Sequence, residues 1–221
     1  MGAVRILVGS RWPLLRLSLE AVFDGVDGMR VVGAAGDWGD MLDQVRLQAP
    51  DAAVVGCLLA GQRDTVLALR KIERRRKCRV VVVGPSDPPA PVWWMLVAGV
   101  SGYVTLDQPP DEIVRAARVA ASGSRVFSAE VTPMAAALSW GEKPSWASLS
   151  TRELDIMRLV AQGLEDDAVA RRIGVTPLTV RKHVARAMRK LGSTDRAEMV
   201  ARLFAAGVLD ATDLRGVVTA A

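Results

Sequence analysis

The sequence predicts an α/β unit built on a five-stranded parallel sheet, followed by an all-α unit of four helices. Three observations carry that expectation. Short β-branched apolar runs alternate with helix-spaced apolar patterns through residues 1–123, the rhythm of a doubly wound sheet. Residues 139–148 (SWGEKPSWAS) are rich in breakers and polar side chains, as a connection between units should be. Beyond them the pattern is helical throughout.

The elements follow in order. Val4 to Val8 (VRILV) has the composition of a buried parallel strand. From Trp12, the residues Leu15, Leu19, Val22 and Phe23 recur at helical spacing up to Gly25. Residues 31–34 form a second strand, and Met41, Leu42 and Val45 mark a short helix stopped by Pro50. A third strand is expected at 52–55, a helix at 65–73 and a fourth strand at 79–83. Residues 92–98 are helical, 102–105 form the fifth strand, and 112–121 form the last helix of the unit. The expected division is therefore 1–123 for the α/β unit and 124–147 for a linker with a possible helix near 129–138. The helical unit takes 148–211 and a tail takes 212–221.

Bulk properties exclude several classes. The 221 residues carry a formal charge of +5, which suits a polyanionic partner without requiring one. Two cysteines, Cys57 and Cys78, are too few for a disulfide framework and lack metal-ligand spacing. The first ten residues have no signal-peptide pattern and no apolar stretch is long enough to span a bilayer, so a soluble cytoplasmic protein is expected. No nucleophile–base pair or phosphate loop is evident, so neither enzyme chemistry nor a cofactor or metal is expected.

The helical unit opens at Ser150 to Glu153, a capping box in which the hydroxyl caps an early N–H and the carboxylate reaches back. Its helix carries Leu154, Met157, Leu159 and Val160 to Gly163. A second helix at 166–173 turns Val169, Ala170 and Ile173 inward and stops at Gly174. Thr176 and Pro177 then form an N-cap followed by a first-turn proline. Val180, Val184, Ala187, Met188 and Leu191 make one apolar stripe, while Arg181, Lys182, Arg186 and Arg189 lie opposite, with His183 and Lys190 on the flanks. Gly192 ends that helix and a fourth follows at 195–206. Two short helices around a tight glycine turn, the second basic outside, form a helix-turn-helix pattern.

Residues 149–209 resemble the LuxR/NarL-type helix-turn-helix, through LSTRELDIMRLVAQGL, AVARRIGVTPLTVRKHVARAMRKLG and RAEMVARLFAAGVL. The resemblance implies that the helix beginning at Thr176 reads duplex DNA and that the fourth helix pairs two domains. Thr179, Arg181, Lys182 and His183 fall on the family's TVKxH segment, and Arg186, Arg189 and Lys190 would be phosphate or groove contacts. Two departures stand out. Asp166 and Asp167 follow Glu165 where the family often opens its second helix with Asn-Lys; they suit a helix N-terminus but oppose a nearby phosphate backbone. Ala185 stands at a position often polar or basic. His183, the one histidine, is expected at the surface or on a phosphate rather than as a catalyst.

Residues 1–123 resemble the receiver domain of response regulators, in their strand–helix rhythm and in RILV at 5–8, Pro13 and Leu14, Pro50 and Asp51, and AGVSGY at 98–103. The resemblance implies a flavodoxin-like (CheY-like) fold and an aspartyl-phosphate site. By that alignment the Mg²⁺-holding acidic pair is replaced by Ser10 and Arg11, the phosphoacceptor by Gly56, the hydroxyl by Gly84 and the lysine by Leu106. A hard cation needs charged oxygen ligands; Ser10 is neutral, Arg11 repels the ion and Gly56 has no side chain to phosphorylate. Asp51, Asp64 and Asp107 do not rebuild the site, so a pseudo-receiver is expected.

Three fates for that pocket stay open: a plug in which Trp12 and Leu106 fill the glycine vacancies, a small-molecule site, or a redox sensor at Cys57. The uncharged run VWWMLV at 92–97 carries Trp93, Trp94 and Val97, with Trp94 and Val97 outward if Leu96 and Trp93 face the core. This is a candidate dimer interface, unless Trp94 packs on the linker or the helical unit. The basic run Arg74, Arg75, Arg76 and Lys77 is expected in solvent at a helix end. Together these readings give a homodimeric DNA-binding transcriptional regulator controlled without aspartyl phosphorylation, with the receiver-like unit open to a small-molecule or protein effector. The alternative is a heterodimerising protein that modulates another regulator without binding DNA alone.

Overall fold

The computed structural model describes residues 2–57, 68, 69, 72, 78–210 and 213. It divides into two compact units, Met1–Trp140 and Gly141–Ala221. The helix expected at 65–73 lies largely outside the described residues; of it, Ala68, Leu69 and Ile72 are helical and buried. The 74–77 basic run and Asp64 also lie outside them, as does the 212–221 tail apart from Asp213.

The first unit alternates β1 (Val4–Gly9), α1 (Pro13–Phe23), β2 (Met29–Ala35), α2 (Trp38–Gln48), β3 (Ala52–Gly56), β4 (Arg79–Gly84), α3 (Pro89–Ala98), β5 (Gly102–Thr105) and α4 (Pro110–Ala121). Its strands are parallel, in the order β2-β1-β3-β4-β5, with a further strand, β6 (Val126–Phe127), beside β5. Because successive side chains on a strand point to opposite faces, the apolar runs split between two cores. Leu7, Ala53, Val55, Val80 and Val82 face one side with α2 and α3. Ile6, Val8, Val54, Val81 and Val83 face the other with α1 and α4. Burial on both faces is why these strands read as continuous apolar runs rather than alternating ones.

Two expectations about this unit require correction. The sheet has six strands, since β6 (Val126–Phe127) pairs with Gly102 and Tyr103 of β5. The unit also runs past the expected boundary at 123, to Trp140: after β6 comes α5 (Thr132–Ser139), where a possible helix was expected near 129–138, and it packs on α3. The reason lies in α3 itself. Its sequence PAPVWWMLVA has no charge, and most of it is buried. One side is covered by the sheet, and Met134, Ala135 and Leu138 of α5 join the same core. Trp93 is 2% exposed, while Trp94 and Val97 are half-buried. Of the candidate interface residues, Trp93 is therefore interior to the unit, and Trp94 packs against the same core.

The second unit begins with a single 3-10 turn (Ser145–Ser148) that buries Trp146, followed by α6 (Thr151–Ala161), α7 (Asp166–Ile173), α8 (Pro177–Leu191) and α9 (Arg196–Ala205). Ile156, Met157, Val169, Val180, Ala187, Met199 and Leu203 form its centre, each 4% exposed or less.

Candidate nucleic-acid interface

α6 opens with both halves of its capping box. The Glu153 N–H donates to Ser150 Oγ at 3.2 Å, and the Ser150 N–H donates to Glu153 Oε2 at 2.7 Å. α7 ends at Gly174, whose φ of 69° is left-handed, a conformation that costs a glycine least. Three residues later α8 begins: Thr176 Oγ1 accepts from the Thr179 N–H at 3.2 Å, and Pro177 occupies the first turn. This tight connection sets α8 against α7 as the outer helix of a helix-turn-helix.

The two faces of α8 separate as its spacing dictates. Val180, Val184, Ala187 and Leu191 are buried, with Met188 half-buried beside them. Arg181, Lys182, Arg186 and Arg189 are exposed, and no acidic residue interrupts them. Thr179 sits at the edge of this face, its hydroxyl 2.9 Å from that of Thr176.

Two flanking residues belong elsewhere than expected. Lys190 Nζ donates to Glu153 Oε2 at 2.6 Å and to the Ser148 carbonyl at 2.9 Å. It thus ties the end of α8 to the start of α6, and is not poised as a phosphate contact. Glu153 is 3% exposed; burial alone would push its carboxyl up. Bonds from Lys190 and from the Ser150 amide and hydroxyl overcome that, holding it below the ordinary 4.5. His183 is half-buried, and its Nδ1 is enclosed with no hydrogen-bond partner among the described residues, so the ring leans toward the scaffold.

The acidic cluster is also less opposed to DNA than its sequence suggests. Asp166 accepts from Arg196 at 2.9 Å and lies 3.9 Å from Arg181, while Arg196 also donates to the Leu164 carbonyl. Glu165 and Asp167 remain exposed. Glu198, in the first turn of α9, receives bonds from the Thr194 amide, Arg202 and the Thr194 hydroxyl, which hold its carboxyl down at about 2.

The family described as "Bacterial regulatory proteins, luxR family" matches residues 147–203, the span of α6 to α8 and most of α9. The probable transcriptional regulatory protein NarL of Mycobacterium tuberculosis is 30% identical over 208 residues, covering 94% of this chain and 96% of that protein. The chain belongs to the LuxR/NarL family of transcriptional response regulators. The nitrate/nitrite response regulator NarL of Escherichia coli K12 is 28% identical over 197 residues, covering 87% of this chain and 91% of that one. Among solved structures, the response regulator RcsB in its DNA complex superposes with a TM-score of 0.60 at 16% identity, over 92% of this chain and 99% of that one, a likeness of fold. The family's members are regulators and not enzymes, and so is this chain.

In this LuxR/NarL-family chain the carboxyl edge of the receiver sheet, where such folds place their sites, is tightly filled. A Cβ at Gly56 would lie 3.0 Å from Leu15 Cδ2 and 3.3 Å from Ser10 Oγ. A Cβ at Gly84 would lie 2.5 Å from the Tyr103 hydroxyl oxygen and 2.7 Å from Cys57 Cβ and Sγ, closer than any Cβ tolerates. Tyr103 is fully buried, and its hydroxyl donates to the Pro85 carbonyl at 2.7 Å.

The space beside the glycines is thus taken by Leu15, Ser10, Tyr103 and Cys57. Trp12 and Leu106, expected to fill it, are each 54% exposed. Arg11 is exposed next to Ser10, which is buried. Burial, against hydrogen bonds from its own backbone and from Tyr103, pushes the Cys57 thiol up to about 11. At neutral pH it is therefore protonated and a poor nucleophile, which removes support from a redox-sensor role.

Among the described residues no cluster of His, Cys, Asp and Glu could hold a metal ion, and no helix is long and apolar enough to cross a membrane.

Proposed function

We propose that the chain is a sequence-specific regulator that binds duplex DNA as a homodimer and acts without aspartyl phosphorylation. The observation that carries this reading is the outward face of α8. Arg181, Lys182, Arg186 and Arg189 stand exposed on a helix that Thr176 and Pro177 open. The major groove admits an α-helix and offers guanine O6 and N7 to Arg and Lys, while the flanking phosphates attract the remaining cations. Support for DNA as the partner also comes from RcsB, described in complex with DNA and as two dimers on two parallel DNAs. A pair of such units on a two-fold site is the usual geometry of helix-turn-helix proteins.

Support for phosphorylation independence comes from the receiver edge. Gly56 presents no carboxylate, and Leu15 and Ser10 close on its Cα. Control then falls to protein amount or to an effector at the receiver-like unit. The alternative, a heterodimerising modulator that does not bind DNA itself, drew on the acidic run 165–167; Asp166 is paired with Arg196, which weakens it.

Purified full-length protein, never exposed to a phosphodonor, provides the test when mixed with fragmented genomic DNA and titrated with salt. A limited set of fragments should be retained, with log K falling linearly in log salt. Absence of duplex binding even at low salt would favour the heterodimerising reading.

A further inference from the structure

The exposed face of α8 is not purely cationic. Leu178, Lys182, Ala185 and Arg189 follow one another at spacings of four, three and four, so they form a single line along the helix. All four are exposed, and the line lies opposite the buried stripe of Val180, Ala187 and Leu191. Leu178, in the first turn, is 56% exposed, while the other large apolar side chains described in this unit are at least partly covered. Arg181 and Lys182 stand one turn further on.

From this placement, and resting on the DNA-binding reading above, we propose that Leu178, with Ala185 two turns along, reads the 5-methyl groups of thymines in the major groove. The argument is one of desolvation. If the first turn of α8 enters the groove, Leu178 is pressed against base edges that present N7, O6, O4 and amino groups. Covering any of those with an isobutyl group leaves a polar atom without its water. The thymine methyl is the apolar group an ordinary base pair displays there, and apolar side chains are its natural partners. Ala185 fits the same logic: a short side chain at the centre of the line lets the helix approach the bases, between the cations Lys182 and Arg189. The bound half-site is therefore expected to place thymine under the first turn of α8, flanked by the guanines or phosphates that Arg181 and Lys182 engage.

The test uses the full-length chain and the duplex it selects from a random library. Each thymine in the selected site is replaced in turn by deoxyuridine, which removes the methyl and leaves every hydrogen-bonding group in place. At one or two positions per half-site the loss of the methyl should weaken wild-type binding about fourfold, the value of one buried methyl group. At the position under Leu178, Leu178→Ala should bind the thymine and uracil duplexes alike, while any preference under Ala185 persists and the wild-type melting temperature is kept, since Leu178 is outside the core. Equal wild-type affinity for both duplexes at every position overturns the inference, as does a Leu178→Ala protein that retains the full preference; either result would assign Leu178 to a protein contact instead. A chain that selects no duplex sinks the DNA-binding reading itself, and is distinguished by the absence of any salt-dependent binding.

Discussion

Lys190 shows how a residue's role is decided by what surrounds it. In the sequence it extends a basic helix, and its charge reads as one more phosphate contact. In the fold it closes an ion pair with Glu153, whose side chain is 4% exposed, and also holds the Ser148 carbonyl. Nothing local to 190 announces this, because the partner lies 37 residues earlier. Arg181, Lys182, Arg186 and Arg189 were legible, since helical periodicity alone sorts them away from the apolar stripe. Replacing Lys190 with Met should therefore leave the salt slope of DNA binding unchanged, whereas loss of a phosphate contact would lower it by about 0.9. The same variant bears on acid stability. The Glu153 carboxyl is depressed in the folded chain, so it contributes stability above the unfolded value near 4.5, and that contribution is lost as pH falls through the folded value. Without Lys190 the folded value rises, and the acid unfolding midpoint of the helical unit, followed by far-UV circular dichroism, should move to higher pH.

At the scale of elements, those with strong periodicity or clear caps were readable and those defined by tertiary contact were not. α7 was located by a stop glycine, and α8 by Thr176, Pro177 and Gly192. β6 is two residues long, too short for any pattern, while α5 was legible as a possible helix but not as part of the N-terminal unit. β6 is revealed by its pairing with β5, and the place of α5 by its contact with α3. The uncharged α3 signalled correctly that something must cover it, but the cover proved to be the chain's own next helix. Leu138→Ala tests this packing: a half-buried leucine in that contact should cost the N-terminal unit about 1–2 kcal/mol in urea unfolding. A helix lying loose in a linker would show no change.

In the molecule as a whole, a family fold carries a receiver-like sheet whose third strand ends at Gly56, a residue without a side chain. The expected replacements at Ser10, Arg11, Gly56, Gly84 and Leu106 rest on the sequence alignment alone, since a missing functional group needs no geometry to be read. What fills the space was not legible: Leu15 and Tyr103 arrive from α1 and β5 through packing alone, and Trp12 and Leu106 point to solvent. Incubation with labelled acetyl phosphate and Mg²⁺ should give no acid-labile label on the N-terminal unit and no change in DNA affinity.

The central claim, that the exposed face of α8 reads DNA, is tested most directly by fluorescence anisotropy of the Arg181→Ala, Lys182→Ala double variant on the duplex selected by the wild type. The account predicts a loss of about 1–3 kcal/mol for each side chain that contacts the site, with an unchanged thermal melt. Wild-type affinity in the double variant would contradict it.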